Sequence, residues 1–151
     1  MSVETIRDEL FGELAWDVPN SVWSGRGATA SGLSFELWVS TGAEEMVDTS
    51  DEAQIPRAIS AESRATFRRF IAEESDVRRR FAEAHNPPFE AWDETMVTAE
   101  SFVARVRLNH LTIFRDGTAE VFYADDGMFG GHSLIAHLGA GGELDHAEMS
   151  G

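Results

Sequence analysis

Apolar side chains recur along this chain at two spacings, and the change from one to the other limits the fold more than any single residue does. From about Ser60 to Ala84, Phe67, Phe70, Ile71, Val77 and Phe81 return close to the 3.6-residue period of an α-helix, with Arg64, Arg68, Glu74, Arg78 and Arg79 on other sides. On either side of that segment the period falls to two, the spacing of strands whose side chains alternate between faces. This order predicts an α+β domain. Its antiparallel β-sheet consists of N-terminal hairpins and a C-terminal meander, with one long and one or two short helices between, packed on one face.

Local signals place the elements. Glu13–Asp17 reads as a short strand, Pro19-Asn20 as a turn, Val22–Thr29 as a second strand, and Leu33–Ser40 as a third, bounded by Gly32 and Gly42. In the third, Leu33, Phe35, Leu37 and Val39 alternate with Ser34, Glu36, Trp38 and Ser40, so one face is buried and the other, with Glu36 and Trp38, is partly wet. Trp16, Trp23 and Trp38 are core candidates. Thr49-Ser50-Asp51-Glu52, with Pro56 soon after, carries a helix-start signal. Within the long helix, Glu74/Arg78 and Asp76/Arg80 are i,i+4 pairs in the favourable order, each contributing about 0.2–0.5 kcal/mol. The run Arg78-Arg79-Arg80 reads as a solvated face compensated by Glu74, Asp76 and Glu83.

Asn86-Pro87-Pro88 ends the helix, because neither proline can continue it. Trp92–Val97 reads as a linker, and Thr98 begins a second helix of roughly ten residues with Phe102, Val103 and Val106 as its apolar stripe. From Leu108 the period of two returns. Leu111 and Ile113 share a face, Asp116-Gly117 signals a hairpin, and Thr118–Ala124 is the partner strand. His132–Leu138 and Glu143–Met149 form another pair, joined through Gly139-Ala140-Gly141-Gly142.

Composition bears on function chiefly through charge. At 151 residues, 42% of them hydrophobic, the chain suits one folded domain spanning residues 1–151. Its net charge is −15, from 27 acidic and 12 basic residues, and every basic residue is Arg. Seven Arg and five acids lie between Arg57 and Glu83, which leaves −17 on the remainder. That field argues against nucleic acid and anionic membranes, and it would attract a basic protein or a cation. The lack of Cys removes disulfides, thiolate ligands and a Cys nucleophile. The first ten residues carry Glu4, Asp8 and Glu9 in place of a basic start, and no stretch approaches the roughly 18 apolar residues of a membrane span. A cytoplasmic location is expected, and no cofactor is implied.

One loop concentrates the chemistry: Asp125, Asp126, Gly127, Met128, Phe129, Gly130, Gly131, His132 and Ser133. As architecture, its glycines allow positive φ, its aspartates satisfy turn backbone, and Met128 and Phe129 tuck under the sheet. As a cation site, Asp125, Asp126 and Glu120 offer oxygen ligands, although the spacing is not that of an EF-hand. As a catalytic site, His132 is a candidate base oriented by Asp125 or Asp126, with Ser133 or water as nucleophile. Adjacent strand residues point to opposite faces, however, which works against a His132–Ser133 pair, and Ser133 lacks a Gly-x-Ser-x-Gly elbow. His132, His146, His137 and His110 show no metal-binding spacing.

The runs Leu111–Gly117 and Val121–Leu134, with the closing Ala147–Gly151, resemble a family of small acidic bacterial proteins of unknown function. Its C-terminal signature reads Asp-Asp-Gly-(Leu/Met)-Phe-x-Gly-His-Ser. This chain has Gly130 where the signature often carries Trp, which removes a large apolar group from the loop. The resemblance implies fold and motif, with no established reaction. Domains of this general kind occur near bacterial toxin genes, so by analogy it also implies an immunity or toxin-neutralising role. The resulting expectation is a non-catalytic acidic binding module for a basic protein. Its rivals are a hydrolase or divalent-metal-dependent enzyme built on the Asp125–Ser133 loop, and an assembly domain that associates through Trp38 or Met128-Phe129.

Overall fold

The computed structural model describes residues 4–41 and 58–150, so the helix signal at Thr49–Glu52 lies outside the described residues. The strands are β1 (Thr5–Asp8), β2 (Gly12–Asp17), β3 (Val22–Ala28), β4 (Ser34–Ser40), β5 (Phe89–Glu90), β6 (Met96–Val97), β7 (Arg107–Ile113), β8 (Ala119–Ala124), β9 (Ser133–Leu138) and β10 (Leu144–Ser150); the helices are α1 (Ala61–Ala84) and α2 (Ala99–Arg105). Eight strands form one sheet in the order β1-β2-β3-β4-β7-β8-β9-β10, and β5 pairs with β6 apart from it.

The class is α+β, but the sheet is mixed. The N-terminal strands and the C-terminal meander are each antiparallel, and they join through a parallel pairing of β4 with β7, from Glu36 opposite His110 to Val39 opposite Ile113. This corrects the all-antiparallel expectation. A chain that leaves β4, runs along the sheet as a helix and re-enters beside β4 must return in the same direction. β1 was not anticipated from the sequence, and the expected linker Trp92–Val97 contains β6 of a small hairpin.

α1 covers one sheet face, and α2 packs against α1 through Phe102 on Phe81. Phe35, Leu37 and Val39 of β4 and Leu111 and Ile113 of β7 point from that face, against Phe67, Phe70, Val77 and Phe81 of α1. Phe35 meets Phe70 edge-on at 5.5 Å, and Phe81 meets Tyr123 at 5.9 Å. Gly27 makes room for this packing, since a Cβ there would lie 2.5 Å from the Phe35 ring. Trp16 and Trp23 are core, Trp38 is half-buried on the opposite face, and Leu33 falls outside its strand and is exposed.

Hydroxyls pin the start of α1 to the β7–β8 turn. Ser60 caps the helix by accepting from Ser63 N, while Ser60, Ser63 and Thr66 donate to the carbonyls of Arg115, Phe114 and Gly117. Midway, Glu73 leaves helical geometry (φ −124°, ψ 20°). The carbonyl of Ile71 accepts instead from Ala30 N, in the β3–β4 connection, at 2.7 Å, so an outside donor stands where the helical ladder is interrupted. α2 begins with a capping box between Thr98 and Ser101.

Next to the break, the helix departs from the amphipathic pattern. Glu74 is 3% exposed and the Arg78 side chain 12%, so the pair read as solvated is inside. Glu74 Oε2 accepts from Arg78 Nε at 3.0 Å and from the Tyr123 hydroxyl at 2.8 Å. Burial and the neighbouring Glu74 carboxylate push the Tyr123 hydroxyl well above its ordinary pKa. Arg79 and Arg80, by contrast, are exposed and pair with Asp76, as the sequence implies.

Candidate functional site

The Asp125–Ser133 loop is organised by the side chain that begins it. As β8 ends, Asp125 turns inward and is 3% exposed. Its Oδ1 accepts from Gly127 N at 3.0 Å, and its Oδ2 accepts from Phe129 N at 2.9 Å, Gly131 N at 3.1 Å and His132 N at 3.0 Å. Burial alone would raise the Asp125 pKa, but these backbone donors outweigh it and hold the carboxyl below the usual carboxylate range. One carboxylate thereby closes the loop on itself and carries the chain from β8 into β9.

The loop's apolar residues are inside it. Met128 is 0% exposed and Phe129 9%, so neither forms an exposed association patch. Phe129 stacks on Phe89 at 5.7 Å. His132 is half-buried, its Nδ1 donating to the Phe129 carbonyl and its ring edge-on to Trp92 at 5.5 Å. Ser133 starts β9 and is exposed.

Asp126 points the other way. It is exposed and meets Arg105, which reaches the Asp126 carboxylate at 3.3 Å and its carbonyl at 3.2 Å. Arg105 also donates to Asp93 at 2.6 Å and to Thr95 Oγ1 at 2.8 Å, fastening the β5–β6 hairpin to the loop. The Thr95 hydroxyl, then Arg105, hold Asp93 down at about 2. The geometry therefore separates Asp125, Asp126 and His132: the first serves the loop backbone, the second a surface ion pair, and the third a carbonyl and an indole.

Trp92 is the residue that the sequence reading passed over. It is 68% exposed, yet its place is set: its backbone N–H donates to the Met128 carbonyl at 2.8 Å, and its ring lies over Gly130. A Cβ at position 130 would sit 2.8 Å from that ring, and φ there is +80°, so both space and backbone demand glycine. The space above Gly130 is filled by this indole from the hairpin. Met96, 62% exposed, belongs to the same hairpin, whose acids are Glu90, Asp93 and Glu94. Only the Trp amid turn-forming residues could have signalled this.

His85 caps the end of α1 and stacks on Phe81, whereas His110, His137 and His146 lie on the open face of the sheet. His137 stacks on His146 at 4.2 Å and bonds Glu148 at 2.8 Å, while His110 lies between Trp38 and Phe122 and bonds Thr112 at 2.6 Å. Among the described residues, no group of three or more His, Asp or Glu is arranged to hold a metal ion. No described helix is long and apolar enough to cross a membrane.

A family model described as "Uncharacterized protein conserved in bacteria (DUF2262)" matches residues 8–149. No curated protein and no solved structure matches the chain.

Proposed function

The chain belongs to that bacterial family, and from this premise we propose that it is a non-catalytic, cytoplasmic binding module for a basic protein, with the loop and its hairpin as the contact surface. The observation that carries the reading is Trp92: a large aromatic left 68% exposed but fixed from beneath by Gly130 and from the side by His132. A rigid, exposed indole is the kind of anchor that dominates binding energies. Asp93 and Glu94 follow it in the hairpin, and the local charge stays negative after Arg105 pairs with Asp93 and Asp126, in keeping with the −15 of the whole chain; complementary charge steers a basic partner in a salt-dependent way. An immunity or toxin-neutralising role is one form of this reading and rests on analogy alone. A hydrolase or metal-dependent enzyme at the same loop draws less support, because Asp125 and Asp126 face opposite directions and Asp125 is already engaged by backbone donors.

The test is affinity capture with the whole chain from its source cell, including products of neighbouring genes, at low and high ionic strength. A partner retained at low salt, released at high salt and lost with Trp92→Ala is expected. The Trp92→Ala chain should stay folded, its unfolding midpoint lowered by no more than the equivalent of about 1–2 kcal/mol through the ring's lost contacts with Gly130 and His132. Capture indifferent to both salt and Trp92, or no specific partner at all, would overturn the proposal.

A further inference from the structure

A cavity beside the loop gathers arginines in place of aspartates. With a volume of about 440 Å³, it opens where the end of α2, the start of β7 and the start of β4 meet over α1. Arg78, Arg105, Arg107 and Asp126 line it, with Leu33, Val106 and Leu108 as the apolar part of the wall. Three of the chain's 12 cationic side chains converge there, in a protein with more than twice as many acids.

The state of each guanidinium says what the cavity can take. Arg78 is committed on two sides: Nε to Glu74, and Nη1 to the carbonyls of Val103 and Val106 at 3.2 Å each. Its Nη2 is buried and has no acceptor among the described residues. A buried N–H group of a charged side chain left unpaired is costly, so an acceptor supplied there would be favoured. Arg105 is occupied by Asp93 and Asp126. Arg107 is exposed and has no ion pair among the described residues. The Ser34 hydroxyl, also in the lining, accepts from Arg26 at 3.0 Å and keeps its own hydrogen to donate.

Charge then limits the ligand. Glu74 neutralises Arg78, and Asp93 with Asp126 outweighs Arg105 by one charge, so the cluster is neutral overall and Arg107 is the one lining guanidinium without an ion pair among the described residues. We propose that this cavity binds a small organic monocarboxylate, its carboxylate on the Arg107 and Arg78 side and its apolar body against Leu33, Val106 and Leu108. Planar guanidinium forks match carboxylate oxygens, and a wall more polar than apolar, with Leu33 and Leu108 as its apolar part, suits a ligand whose apolar body is small. A dianion such as phosphate would carry more charge than the site compensates, within a strongly negative protein.

Titration calorimetry of the whole chain with benzoate, benzamide and inorganic phosphate tests this. Benzoate should bind saturably, and neutral benzamide and phosphate should each bind at least about tenfold more weakly. Arg107→Gln should cut benzoate affinity about tenfold or more while leaving the unfolding midpoint unchanged, because its side chain is exposed. Leu33→Asp, which sets a carboxylate in the wall without touching any arginine, should weaken benzoate as well. Guanidinium nitrogen resonances of Arg78 should shift on adding benzoate to the wild-type chain. No saturable benzoate binding, equal binding of benzoate and benzamide, tighter binding of phosphate, or unaltered affinity in Arg107→Gln would each overturn the proposal.

Discussion

Replacing Asp125 should separate a structural carboxylate from a chemical one. Its two oxygens accept four backbone N–H groups, three of them on Oδ2. Asn keeps one acceptor oxygen. Turned toward the Oδ2 position, it would retain the bonds to Phe129, Gly131 and His132, lose the one to Gly127, and weaken the rest because the acceptor is no longer charged. A hydrogen bond to a charged group contributes about 1.5–3 kcal/mol, and a neutral one about 1. Gly127 and Gly131 are exposed, so water can serve their N–H groups, whereas that of Phe129 is buried. Asp125→Asn should therefore cost about 1–2 kcal/mol and Asp125→Ala about 3–5 kcal/mol, a large share of a typical domain's 5–15 kcal/mol. Urea unfolding followed by tryptophan fluorescence gives both values. The carboxyl's depressed pKa adds a sign: its contribution is present above the unfolded carboxylate range and is lost as pH falls through the lower folded value, so Asp125→Asn should lessen acid sensitivity. A change below about 0.5 kcal/mol in the Ala variant, or an Asn variant as damaged as Ala, would refute the reasoning.

Three further outcomes follow from the same structure. His132→Ala leaves the Phe129 carbonyl without its imidazole donor and the Trp92 ring without its neighbour, and should lower the urea midpoint by the equivalent of about 1–3 kcal/mol; an unchanged midpoint would mean the imidazole is kept for chemistry. The Arg64 guanidinium holds the Asp8 carboxyl at about 2 against an ordinary 3.8, so the pair's contribution is full above about pH 4 and fades as pH falls toward 2. With Arg64 a third exposed, that contribution is about 1–2 kcal/mol, and acid titration of stability should flatten in Arg64→Met. Gly27→Ala drives a methyl into the Phe35 ring and should destabilise by about 1–3 kcal/mol in thermal unfolding, whereas Gly12→Ala, with open space around it, would be limited to backbone strain at φ +79°.

The periodicities of the sequence carried most elements, because burial of one face writes itself directly into residue spacing. α1 starts one residue after the expected Ser60, and the C-terminal strands fall within a residue or so of the predicted bounds. The parallel seam between β4 and β7 left no such mark, since Leu37 and Leu111 alternate in the same way whichever strand lies beside them. Glu74 and Arg78 satisfied a surface rule while being interior, because their partner, the Tyr123 hydroxyl, is supplied from far along the chain. At the loop, the sequence showed that Asp125, the glycines and His132 belong together. It did not show the direction of each carboxylate, nor that a tryptophan from a two-residue-strand hairpin would fill the place above Gly130.

The seam between β4 and β7 also bears on how the molecule comes together. Strands β1 to β4 pair with sequence neighbours, as do β7 to β10, so each half can zip locally and quickly. Joining the halves requires Glu36 to find His110 and Val39 to find Ile113, a closure across a long stretch of chain whose entropy must be met before the contacts form. Until then, β4 offers Phe35, Leu37 and Val39 along an unpaired edge, and β7 offers Leu111 and Ile113. Such edges are templates for pairing with another molecule. Intermolecular pairing during refolding would thus compete at this central junction, so refolding yield should fall as protein concentration rises even though the finished sheet hides both edges.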